Sequence, residues 1–338
     1  RKAAMDVPTL EDLVPLPEIW LRLERVETRI LEVSQSSDTF LTNAAQHLLV
    51  AGGKRFRPLL AQLASEFGPA DDMRSIDAAV AVELIHVGSL YHDDVIDEAT
   101  TRRGTTSANT NWGNTVAILA GDFLMARASE VAAATLGQAA VEILARTYAE
   151  LVEGQTLELQ LDWDLDHGAD RYFQVIEGKT ASLIRTSARL GAMAADASEE
   201  AIERVSRWAW ELGIVFQITD DALDLVATDE FLGKPAGSDI SEGKFTLPVL
   251  EALRGPDGDR IRELLSADHP YPAESVAEVI QLVRDGGYVE SALNEASRRI
   301  ELAKAAIAEL PASPARNTLD SLGGYLINRV EAARVSSR

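Results

Sequence analysis

The 338-residue chain contains no cysteine. That excludes a disulfide framework, a thiolate zinc site and a thiol nucleophile, and it fits a cytoplasmic location. Aromatic residues are scarce too, at 6% of a chain that is 46% hydrophobic. With Ala, Leu and Glu abundant instead, helices packed on helices are favoured over a β architecture. Basic residues number 32 against 54 acidic ones, giving a formal charge of −22. Nucleic-acid binding and electrostatic docking on anionic lipid both need the opposite balance. If such a protein handles anionic substrates, local basic residues and bound metal must overcome its own field. No run approaches the length of a transmembrane helix. The opening RKAAMDVPTLEDLVPLPEIW carries acids and three prolines where a secretory signal would need an apolar segment.

What is present points to one large all-α domain. Pro8, Pro15 and Pro17 make residues 1–17 an extended N-terminal arm. Residues 18–338 read as a single helical domain, long for one domain but within reach of a large bundle. Apolar spacing at Ile19, Leu23, Val26 and Ile30 predicts one helix from Glu18 to about Val50. Further helices are expected over about 116–135, 139–161 and 199–226. From 245 to 335, helical runs alternate with breaks at GPDGD, HPYP, GG and PASP. No strand-period segment, short repeat or interdomain linker is evident.

The chemistry concentrates in VELIHVGSLYHDDVIDEATTRRG, residues 82–104. An apolar helical run there ends on Asp93, Asp94 and Asp97, and positions i and i+4 share a helix face. Carboxylates one turn apart repel unless a cation joins them, and oxygen-only ligands of this kind suit Mg²⁺. A lone cluster of this type reads equally well as a solvated helix end. The same D-D-x-x-D spacing recurs at Asp220, Asp221 and Asp224, which favours the metal reading. In AGGKRFRPLL, the residues Lys54, Arg55 and Arg57 crowd a helix junction, either an anion site or a soluble loop. Lys179 is a lone lysine in a helical pattern. Residues 227–250 hold Lys234, Asp239 and Lys244 among glycines and prolines, as a mobile cover over a charged site would. Two other motifs fail. DWDLDHGAD misplaces its glycine for a calcium loop and has Phe173 at the closing acid position; Phe173 also replaces the first glycine that a P-loop ending in Gly178-Lys179-Thr180 would need.

The set GGKRFRP, HVGSLYHDDVID with RRG, EGKT, FQITDDALD and GKPAGSDISEGKFTLP, running from about Leu41 to Leu250, resembles the trans-isoprenyl (polyprenyl) diphosphate synthases. The resemblance implies an all-α bundle around a central cavity, usually a homodimer. It implies Mg²⁺-dependent head-to-tail condensation of isopentenyl diphosphate with an allylic diphosphate, a C15 or C20 primer. Asp93, Asp94, Asp97, Asp220, Asp221 and Asp224 would hold three Mg²⁺, for which Mn²⁺ can substitute, with Asp93, Asp97 and Asp220 as direct ligands. Arg102, Lys179, Lys244 and Lys234 would meet the allylic diphosphate. Lys54, Arg57, His86 and Arg103, with the Gly53 backbone, would grip isopentenyl diphosphate. Thr180 and Gln217 would stabilise the carbocation through their oxygens. Gly88 and Ser89 are small where short-chain members carry aromatics, and the first triad lacks a two-residue insertion. Both features imply a medium or long product of about C30–C50, with transient membrane contact at its release. The alternatives are a geranylgeranyl (C20) diphosphate synthase, a class I terpene cyclase, whose second metal motif is of another type, and a non-catalytic helical subunit, which would have lost the acidic motifs. A metal phosphohydrolase built on His92-Asp93 would need further histidines that are not suitably placed.

Overall fold

The computed structural model describes residues 9–69, 72–228, 232 and 236–336. The helices run in order α1 (Leu10–Leu13), α2 (Pro17–Val33), α3 (Thr39–Val50), α4 (Phe56–Ser65) and α5 (Asp72–Ile96). A short hairpin of β1 (Thr101–Arg102) and β2 (Thr105–Thr106) follows. Next come α6 (Ala108–Trp112), α7 (Asn114–Val131), α8 (Gln138–Leu161), α9 (Ala169–Ile176), α10 (Ser182–Ala194) and α11 (Glu199–Val226). The remainder is α12 (Ser238–Ser241), α13 (Leu247–Ala252), α14 (Gly258–Leu265), α15 (Ala273–Asp285), α16 (Tyr288–Ile307) and α17 (Pro314–Ser336). The all-α expectation holds. Among the described residues no helix is long and apolar enough to cross a membrane.

Three local features differ from the sequence reading. Between Pro8 and Pro15 the arm winds one helical turn, α1, closed by a reciprocal capping box of Thr9 and Asp12. The helix expected over 18–50 is two, because Asp38 caps α3 by accepting from the Phe40 N–H at 2.9 Å, and Ser36 Oγ accepts from the Asp38 N–H. The strands were invisible to periodicity, being two residues each. Their turn places Arg103 (φ 53°) and Gly104 (φ 74°) in the left-handed region that a two-residue hairpin demands.

The chain forms two compact units. Leu16–Ala149 with Leu183–Arg207 is organised around α5, which buries Ile76, Val80, Leu84, Val87 and Tyr91. Tyr91 ties α5 to α3, donating to Ala44 O at 2.5 Å and accepting from the Leu48 N–H at 3.2 Å. Truncating a fully buried leucine such as Leu63 or Leu84 to alanine would cost about 2–5 kcal/mol. Helices α5 and α7 meet through glycines: a Cβ on Gly121 would lie 2.9 Å from Gly88 O and 2.5 Å from His92 Nε2. The other unit, comprising Arg1–Pro15, Glu150–Ser182 and Trp208–Arg338, has its own core, with Trp208, Ile214, Val279 and Ile307 almost fully buried.

Candidate active site

The first acidic motif ends α5, and its three carboxylates have different environments. Asp97 is exposed and Asp93 half-buried, whereas Asp94 is fully buried. Arg102 reaches across from the hairpin to Asp94 Oδ1, with Nε at 2.8 Å and Nη2 at 2.6 Å. Burial pushes the Asp94 carboxyl up from its usual range, and Arg102 partly offsets this. Asp94 Oδ2 is buried with no hydrogen-bond partner among the described residues.

Close by in the same unit is a cluster of arginines around one acid. Glu83 lies within the apolar run of α5 and is 1% exposed. Arg55 Nη1 approaches Glu83 Oε1 at 3.0 Å, and Arg103 Nη2 lies 3.7 Å from the same oxygen. Arg55 (φ 48°) also pairs with Glu27 and donates to Leu49 O, so its fork is committed to holding the Gly52–Gly53 loop. Arg103 donates to Leu48 O at 2.9 Å and Gly52 O at 2.5 Å. Gly53 (φ 154°) permits this, because a Cβ there would lie 2.9 Å from the Arg103 guanidinium. Arg57 is different. Its Nε is buried without a hydrogen-bond partner among the described residues, and burial lowers its pKa to about 10, against the pull of Glu83. His86 is held neutral: burial first, then Arg57 and Arg103, take its pKa well below the usual imidazole range. Lys54 is exposed beside them. An under-compensated arginine, a neutral imidazole and an exposed lysine suit an incoming polyanion.

In the other unit the second acidic motif repeats the division. Asp220 on α11 is exposed, and Asp221 and Asp224 are buried. Asp221 accepts from Tyr172 Oη at 2.5 Å and from Gln217 Nε2 at 2.8 Å. Burial, then nearby Asp239, push its carboxyl well above the normal range. Gln217 in turn accepts from Thr180 Oγ1 at 2.8 Å, so Thr180, Gln217, Asp221 and Tyr172 form one hydrogen-bonded chain. Lys179 and Thr180 are presented by a π-helical turn, Glu177–Ala181, of the kind often found at functional sites. Lys179 Nζ is 2.6 Å from Glu158, and Gly154 allows α8 to approach this turn, since a Cβ there would lie 2.7 Å from the Lys179 amide nitrogen.

Asp224 also has a structural task. Its Oδ1 accepts from Ser238 Oγ at 2.9 Å, its Oδ2 from the Asp239 N–H at 3.2 Å, and its carbonyl from the Gly237 N–H at 2.8 Å. It thereby fastens the start of α12, the segment that leads to Lys244. Lys244 is half-buried, with Nζ 3.3 Å from Glu242. Lys234 lies outside the described residues.

Gly88 and Ser89 also have local roles. A Cβ on Gly88 would meet Gly121 O at 3.0 Å and Met125 Cγ at 3.1 Å, so its small size serves the contact with α7. Ser89 is half-buried and donates to His86 O at 2.7 Å. Glu83, Tyr172 and Glu158 were missed in the sequence. Of these only Glu83 left a signal, as an acid set among Val82, Leu84 and Ile85.

In each unit the carboxylates left exposed or half-buried, Asp93 and Asp97 in one and Asp220 in the other, offer oxygen donors of the kind that suits a hard cation such as Mg²⁺, which keeps several waters. Among the described residues no three carboxylate or imidazole groups form a ready-made metal cluster.

Residues 38–283 match the family model for polyprenyl synthetase. The nonaprenyl diphosphate synthase of Mycobacterium tuberculosis is 41% identical over 95% of this chain and 96% of its own. Among solved structures, a Caulobacter crescentus polyprenyl synthase complexed with calcium and isoprenyl diphosphate superposes with a TM-score of 0.88 at 34% identity, covering 96% of this chain and 99% of that one. A geranylgeranyl pyrophosphate synthase of Corynebacterium glutamicum, also complexed with calcium and isoprenyl diphosphate, gives a TM-score of 0.82 at 39% identity, over 93% and 96% of the two chains. Such similarity along nearly the whole length, in fold as well as sequence, makes this chain a prenyltransferase that belongs to the polyprenyl synthetase family.

Proposed function

We propose that the protein condenses isopentenyl diphosphate head-to-tail with an allylic diphosphate to build an all-trans product of about C30–C50. The carrying observation is the division of labour in both acidic motifs. Asp94 and Asp221 are buried and hydrogen-bonded to the protein, and Asp93, Asp97 and Asp220 are left at least partly open to solvent. Those three are the carboxylates assigned to Mg²⁺, with three ions per site. Bound Mg²⁺ supplies charge neutralisation of the diphosphate oxygens, which makes diphosphate a competent leaving group.

The protein's own groups then bind and orient. Arg102, Lys179 and Lys244 receive the allylic diphosphate. Each faces a carboxylate of the protein, respectively Asp94, Glu158 and Glu242. Arg57, Arg103, His86 and Lys54, with the Gly53 backbone, receive isopentenyl diphosphate; neutral His86 can donate an N–H there without adding to the crowded positive charge. Gln217 has its amide fixed between Thr180 and Asp221, so its dipole is set before a carbocation forms. With no dedicated base assigned, the departed diphosphate takes the final proton. The nonaprenyl relative favours a long product, and the geranylgeranyl relative keeps the C20 product as the second reading. A homodimer is proposed, in keeping with exposed Ile118 and Leu119 on α7.

The test is incubation with radiolabelled isopentenyl diphosphate, Mg²⁺ and C15 or C20 allylic primers, followed by chromatography of the products. Elongation to about C30–C50 is expected. A product that stops at C20 would overturn the chain length, and no incorporation with any primer would overturn the activity.

A further inference from the structure

The segment from Gly237 to Lys244 is secured at its start by Asp224, and its far end has a fastening of another kind. Trp163 stands in the loop after α8 with φ 66°, a left-handed conformation that is costly for a bulky side chain and is kept only where the surroundings enforce it. Its backbone N–H donates to Gly243 O at 2.8 Å. Its ring lies flat against Gly243, where a Cβ would come within 2.3 Å of the indole, and Gly243 has φ 74°. On another side the indole stacks on His269, with ring centroids 3.8 Å apart and planes 21° apart, and meets Tyr271 edge-on at 5.5 Å. Tyr271 is itself fixed by donating to Leu265 O at 2.9 Å. Three loops thus close on one indole, and the residue after its glycine partner is Lys244.

We propose that Trp163 is a positioning residue for Lys244. The indole, braced by His269 and Tyr271, fixes the Gly243 peptide and so sets where the Lys244 ammonium points. The two fastenings act at opposite ends of one short segment: Asp224 by hydrogen bonds at Gly237–Asp239, Trp163 by stacking at Gly243. The proposal rests on the reading above in which Lys244 meets the allylic diphosphate.

Steady-state kinetics of Trp163→Ala, Lys244→Ala and the double variant would test it, with the two substrates varied separately. Lys244→Ala alone tests the underlying reading: an unchanged KM for the allylic diphosphate would remove Lys244 from that role. Trp163→Ala is expected to raise the allylic KM roughly tenfold, as a displaced binding group does, and to leave the isopentenyl KM within about twofold. In the Lys244→Ala background the same change should add less than about twofold. Trp163→Phe keeps a stacking ring and should return the allylic KM to within about threefold of the parent. Independent, multiplicative effects of Trp163→Ala and Lys244→Ala would overturn the proposal, as would equal rises in both KM values. If Trp163→Ala does not fold, His269→Ala, which strips one brace from the indole, takes its place in the same cycle with the same two outcomes.

Discussion

Replacing Glu83 by Gln should damage the fold and one substrate site together, by amounts the structure allows to be worked out. Arg55 pairs with two acids. The side chain of Glu83 is 2% exposed and that of Glu27 45% exposed. The Glu27 pair lies largely in water and is worth at most about 1 kcal/mol. Removing the charge of Glu83 instead leaves Arg55 and Arg103 facing each other around a buried neutral amide, and losing one partner of a buried pair costs about 3–5 kcal/mol. Glutamine keeps the shape and one acceptor, so the lower end, about 3 kcal/mol, is expected. For a chain of 338 residues that corresponds to a fall of roughly 4 °C in the thermal midpoint. Glu27→Gln is expected to shift the midpoint by less than about 1.5 °C. Kinetics should discriminate in parallel. Arg103 is assigned to isopentenyl diphosphate, so Glu83→Gln raises that KM several-fold and leaves the allylic KM nearly unchanged. Midpoints that fall equally for Glu83→Gln and Glu27→Gln would refute the reasoning, because it distinguishes the two acids by burial and by the second arginine, Arg103, that Glu83 faces.

Asp93→Asn should lower turnover by two orders of magnitude or more with little change in thermal midpoint, as expected for loss of an ion-binding carboxylate. Asp221→Asn replaces a carboxyl whose ionisation burial disfavours, so the change should be tolerated in stability and turnover should fall much less than for Asp93→Asn; comparable turnover losses in the two variants would refute this division of roles. Gly121→Ala should destabilise by about 1–3 kcal/mol, since its methyl would meet the Gly88 carbonyl and the His92 ring, and an unfolding curve matching the parent would show that α5 and α7 separate freely. His86 gives a pH dependence. Its folded pKa is depressed below the ordinary value of 6.5, so the unfolded chain binds the proton more readily and stability falls as the pH drops below 6.5. His86→Asn should flatten that part of the profile in denaturant titrations between pH 8 and 5; identical slopes would assign it to other groups.

Helix boundaries were legible wherever glycine or proline marked them. The breaks expected in the last ninety or so residues separate α13 to α17 as anticipated, because those residues act through the local backbone. The acidic motifs were legible as well, since i and i+4 spacing alone puts Asp93 and Asp97 on one face. What escaped were properties set by tertiary partners. Nothing in D-D-x-x-D says that its second carboxylate is buried against Arg102 or Tyr172. Nothing in Gly88 says that α7 occupies the space beside it, and the left-handed backbone of Trp163 has no marker in the chain. Glu83 did leave a marker, an ionisable group between Val82 and Leu84 in the apolar run of α5, where a buried partner is the natural expectation.

The hairpin between α5 and α6 makes the length of its turn decide where two adjacent cations point. Arg102 and Arg103 are neighbours in sequence, yet one turns to Asp94 and the other to the Leu48 and Gly52 carbonyls. They part because Arg102 ends β1 and Arg103 opens the two-residue turn in the left-handed region. Exchanging the threonines of the hairpin would leave that geometry intact. One inserted residue would rotate the second arginine out of register and merge two separate charges into one patch. Two adjacent cations are kept apart here by a count of residues rather than by their identity.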